Sequence, residues 1–79
     1  MQRYSIATPL IAVRLFRSHE MEKAGVMTTL PPKAVVEIHG PSDLGDGMVE
    51  VVWVHQRYAV FERDLITRAT PVRTAAVGG

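Results

Sequence analysis

Seventy-nine residues with 47% hydrophobic and 22% charged side chains allow one small domain, which excludes a large two-layer enzyme built around a cofactor cleft. Nine Lys and Arg balance eight Asp and Glu for a formal charge of +1, so bulk attraction to nucleic acid or to an acidic membrane is not a driving force. There is no cysteine, hence no disulfide and no thiolate metal site. Cytoplasm is the default compartment, although a chain without cysteine suits any. Ordering a chain of this size costs on the order of 120 kcal/mol, at about 1.5 kcal/mol per residue, so burial must nearly match that and self-association would help.

Residues 1–9 read as an N-terminal arm. The apolar run Pro9–Val13 is interrupted by Arg14, too early for a signal peptide. No stretch approaches the ~20 apolar residues of a membrane span. Of eleven valines many lie in short runs bounded by Pro and Gly, which favours strands over helices. Leu10–Phe16 is a first strand, and Arg17–Thr29 a long excursion loop with a short return at Val26–Leu30. Pro31-Pro32 stops that return, because neither residue can donate to a ladder. Ala34–His39 is the next strand, and Gly40–Gly47 holds nearly every turn-forming residue type.

Met48–His55 is the strongest strand pattern of the chain, turning at His55-Gln56 into Arg57–Phe61. Glu62–Leu65 follows as one tight 3₁₀ turn and Ile66–Arg68 as a closing strand. Residues 69–79 are expected to be a disordered tail. About five short antiparallel strands over 10–68 predict an all-β small barrel.

The order of elements over 10–68 resembles an SH3-like barrel of the bacterial SH3 type. The turn Leu30-Pro31-Pro32-Lys33-Ala34 before Val35-Val36, and the ungapped run Arg57–Ile66, carry the resemblance. It implies Ala59 at a small-residue position, with Phe61 and Ile66 in the core. SH3 domains that grip proline-rich peptides need an aromatic floor. Here Val49 stands at the Trp position, Glu62 replaces the Pro, Leu65 replaces the Tyr, and Arg17–Thr29 holds no aromatic. Polyproline recognition is therefore not expected, and fold alone does not carry function.

Strand alternation sorts the last hairpin into two faces. With Phe61 inward, Val52, Ala59 and Phe61 join Val36, Ile38, Val13, Leu15, Leu30 and Ile66 in the core. Val49, Val51, Trp53, Tyr58 and Val60 then form an outward apolar face larger than a monomer usually exposes. Its cover is the N-terminal arm with Tyr4, Ile6 and Leu10, or a second copy, or another protein, unless a slipped register swaps the two faces.

The remaining chemistry is sparse. His19, His39 and His55 lack zinc-site spacing, and Asp43, Asp46 and Glu50 gather around a wet glycine-rich loop. No nucleophile elbow or phosphate loop is present. No catalytic residue, metal or cofactor is assigned, and the chain is expected not to be an enzyme. Arg57, Arg63, Arg68 and Arg73 bias the C-terminal third toward positive charge. With Trp53 and Tyr58, the first three of these, Arg57, Arg63 and Arg68, define the alternative expectation, single-stranded nucleic-acid binding by stacking. The first expectation is an association module that meets another protein or a second copy through the Val51/Trp53/Tyr58/Val60 face.

Overall fold

A computed structural model describes residues 2–18 and 21–72. Its elements are β1 (Arg3–Ile6), β2 (Leu10–Ser18), β3 (Met21–Leu30), β4 (Val35–Pro41), β5 (Met48–Trp53), β6 (Gln56–Phe61), α1 (Glu62–Arg68) and β7 (Ala69–Pro71). All strand pairs are antiparallel, in one open seven-stranded sheet of order β3-β2-β6-β5-β4-β1-β7. The all-β class agrees with the valine-rich runs. The strand count does not, because seven strands replace the expected five.

The differences come from segments that look like poor strands in isolation. The expected return at Val26–Leu30 is the second half of β3, and the loop before it is strand as well: β3 pairs with β2 from Leu10↔Leu30 to Ser18↔Met21. A register shift between Val13 and Leu15 sets one residue of β2 against the Gly25-Val26 step. Such a bulge bends the ladder and accommodates the glycine that suggested a break. The N-terminal arm is also a strand. β1 lies between β4, through Tyr4↔Val36, and β7, through Ser5↔Thr70. Residues 69–71 are therefore ordered by pairing rather than part of a tail; the rest of the expected tail, 73–79, lies outside the described residues.

The turns explain the register. Pro31-Pro32 ends β3, and Ala34 N–H donates to the Pro31 carbonyl at 3.2 Å across Lys33, whose φ is 75°. Proline second and a positive φ third make a type II turn. The β5–β6 turn is Val54-His55, not His55-Gln56, with φ of 50° and 64° at its two central residues. Two positive φ values are the I′ geometry that matches strand twist, here without the usual Asn or Gly. The pairing consequently runs Trp53↔Gln56, Val51↔Tyr58 and Val49↔Val60.

Glu62–Arg68 is one short α-helix, so Ile66–Arg68 is not a strand and the turn is not 3₁₀. Glu62 and Asp64 in its first turn and Arg68 in its last complement the helix dipole. Thr67 Oγ1 donates to the Arg63 carbonyl at 2.8 Å. The helix packs against β2, β6 and β7. Ala7 and Thr8 N–H both donate to the Arg68 carbonyl, which ties the β1–β2 link to the helix end.

One core results. Ile6, Leu10, Leu30, Val36, Val51, Val60 and Leu65 are fully buried, drawn from β1 through β6 and from α1. Each such side chain contributes about 1.5–3 kcal/mol by leaving water. Leu30 on one edge strand and Ala69 on the other belong to the same cluster, so the sheet wraps around it.

Candidate functional site

Alternation groups the hairpin residues as the sequence suggests, but inside and outside are exchanged. Val51, Tyr58 and Val60 are buried, and Val49 and Trp53 pack against them. The turn moves by one residue, which slides the strands past each other by two and preserves the grouping into faces. What decides the direction is charge. Glu50 and Arg57 lie with Met48, Val52, Ala59 and Phe61 on the other face, and a charged pair stays near water.

The five residues Val49, Val51, Trp53, Tyr58 and Val60 are thus lining for the core rather than an open face. Their cover is the chain itself: Ile6 of β1 and Leu10 of β2 share their cluster, with Tyr4 packed alongside. Trp53 and Tyr58 stack at a tilt, ring centroids 6.2 Å apart and planes at 49°. Among the residues expected inside, Val36, Leu30, Leu15 and Ala59 are buried, while Val13, Val52 and Ile38 are half-buried. Phe61 and Ile66 are outside, 52% and 63% exposed.

The basic residues are dispersed by the fold. Arg57 donates from Nε to Glu50 Oε2 at 2.7 Å and from Nη2 to Oε1 at 3.0 Å, which neutralises it locally. Tyr58 is buried beside it, so no Trp53/Tyr58/Arg57 stacking platform faces solvent. Arg63 and Arg68 are exposed on α1, and Arg68 Nη1 lies 3.4 Å from the Pro9 carbonyl oxygen. Arg73 and His19 lie outside the described residues.

The candidate metal ligands do not converge. His39 Nε2 is 3.7 Å from Glu37 Oε1, His55 is exposed in the I′ turn, and Glu50 is paired with Arg57. Among the described residues no group of three His, Asp or Glu side chains is placed to hold an ion. No helix among the described residues is long and apolar enough to cross a membrane.

A concave surface that the sequence did not reveal lies where β6 runs into α1. A cavity of about 780 Å³ is floored by Phe61 and Ile66 and rimmed by Asp46, Glu62, Arg63 and Asp64. Three elements position it. Phe61 ends β6 opposite Met48, on the outward side. Glu62 N–H donates to the Gly47 carbonyl at 2.8 Å, and Gly47 has a φ of 76°, open to glycine without strain. That bond holds the loop carrying Asp46 against the start of α1. Leu65 is buried in the core, which leaves its neighbour Ile66 facing outward.

The arrangement offers apolar contact area framed by carboxylates and holds no nucleophile–base pair. No protein-family model, no curated protein and no solved structure matches the chain. The sequence signal for the groove was present in Glu62, Asp64 and Asp46 around Phe61. The size and apolarity of Phe61 and Ile66 hide it, because such side chains ordinarily belong to a core.

Proposed function

We propose that this chain is a non-catalytic association module that meets another protein, or a second copy of itself, through the outward surface centred on Phe61 and Ile66. One observation carries this reading: two large apolar side chains, more than half exposed, floor a concave surface that they share with the start of α1. Large exposed apolar patches on small proteins mark interaction sites more often than not. Ile11, 58% exposed on β2, extends the surface. Val13 pairs with Ala59, and the same register carried two residues further brings Ile11 level with Phe61.

An SH3-like module remains the family proposal. It is supported by a β5–β6 hairpin that leads directly into a short helix and a short closing strand. The contact surface proposed for it is not the aromatic groove that SH3 peptide-binding domains use.

The test is paired. Light scattering after size exclusion, over a hundredfold range of concentration, is run on the chain and on a Phe61→Ser/Ile66→Ser variant, with affinity capture of both in parallel. Self-association or a captured partner that the variant loses supports the proposal. Self-association and capture retained equally by both proteins overturn it.

A further inference from the structure

The groove at Phe61 and Ile66 differs in sign from the molecule that carries it. The whole chain has a formal charge of +1, yet the rim sets Asp46, Glu62 and Asp64 against Arg63 alone. Among the described residues, none of these three carboxylates forms an ion pair. Glu62 and Asp64 in the first turn of α1 also answer the helix dipole. Asp46 does not, because it arrives from the loop between β4 and β5. Two separate segments therefore place negative charge around one apolar floor.

The floor is preorganised. Phe61 is fixed by the β5–β6 ladder, the Glu62–Gly47 hydrogen bond locks the rim, and Leu65 anchors α1 in the core. A rigid site spares its ligand the ordering cost that a loop would impose. A volume of about 780 Å³ is in the range of small-ligand pockets, and it suits one or two large side chains of an extended peptide.

From these features we infer that the groove takes a cationic segment of a partner protein: a large apolar anchor residue, seated on Phe61 and Ile66, flanked by Lys or Arg that meet Asp46, Glu62 and Asp64. This rests on the association proposed above and names the chemistry of the partner. The apolar anchor supplies most of the affinity and the rim supplies discrimination and encounter rate, as charge complementarity generally does.

Three labelled peptides test it by fluorescence anisotropy with the full chain. They share a Leu-Phe centre and are flanked by Lys pairs, Ser pairs or Glu pairs. The Lys-flanked peptide is expected to bind roughly tenfold tighter than the Ser-flanked one and the Glu-flanked peptide weakest, with the spread narrowing to about twofold in high salt. A Glu62→Gln/Asp64→Asn variant loses the Lys preference and keeps the Ser-flanked binding; Phe61→Ser loses both. Phe61 and Glu62 are exposed and Asp64 is half-buried, none of them in the core, so circular dichroism should be unchanged. Equal affinity for the three peptides overturns the cationic partner and leaves the apolar contact surface standing. No binding of any peptide, together with self-association that Phe61→Ser abolishes, overturns it in favour of a second copy. No binding of any peptide and no effect of Phe61→Ser on self-association or capture overturns both proposals.

Discussion

Arg57 and Glu50 meet fork to fork on the outer face of the β5–β6 hairpin, one pair of N–H donors on both carboxylate oxygens at 2.7 and 3.0 Å. Their backbones are not opposite each other. Glu50 faces Ala59 and Arg57 faces Val52, so the pair runs diagonally and crosses the ladder. Both side chains are less than a third exposed, which raises the value of the contact above that of a surface ion pair. Glu50→Gln is expected to cost about 1–2 kcal/mol in urea unfolding. Arg57→Lys should lose a comparable amount, because an ammonium cannot span both oxygens. No change in either variant would remove the pair from the forces that hold the hairpin.

The Val54-His55 turn stores strain. A residue with a Cβ in the left-handed region costs about 1–2 kcal/mol, and a β-branched one is the least suited to it. Replacing Val54-His55 by Asn-Gly is expected to stabilise the chain by about 1–3 kcal/mol and to raise the melting temperature by several degrees. The change touches no core side chain, so a loss of stability would mean that the turn is not of the I′ type.

Neighbouring residues on α1 separate inside from outside most directly. Leu65 is 1% exposed and Ile66 is 63% exposed. Leu65→Ala should destabilise by about 2–5 kcal/mol, enough to leave so small a domain largely unfolded. Ile66→Ala should stay within about 0.5 kcal/mol. The reverse ranking in a thermal melt would restore Ile66 to the core.

β1 is the lid of the aromatic face. Ile6→Asp places a charge in a fully buried site between β4 and β7. Loss of cooperative unfolding is expected, with a red shift in Trp53 emission as the face it packs on opens. Emission and melting both unchanged would show that the arm is dispensable.

Much of this fold is legible in the sequence, and the misreadings share a cause. The strands at Leu10, Val35, Met48 and Arg57 announce themselves by valine runs and by the Pro and Gly between them. Met21–Ala24 does not, because Glu22, Lys23 and Gly25 suit a turn or a helix locally and are held extended only by β2. β1 and β7 are too short to signal at all, and they exist because they pair with each other and β1 also pairs with β4. Alternation sorts the hairpin residues into the two faces but does not say which face is inner. The charge-free face, Val49 through Val60, was the inner one, and the face holding Glu50 and Arg57 was the outer. Charge outweighs size here: Phe61 shares the face of Glu50 and Arg57 and so lies outside, and with it the groove.

The position of β1 dictates an order of events during synthesis. It is made before the other six strands, yet its two neighbours are β4 and β7, and Ser5 pairs with Thr70 far along the chain. Until residue 71 emerges, the nascent sheet has no final strand to bracket its opening one. Contacts this distant in sequence are slow to form, in the millisecond-to-second range typical of such topologies. Nascent chains halted before Ala69 should remain open to protease, and the whole domain should close as one late step rather than strand by strand.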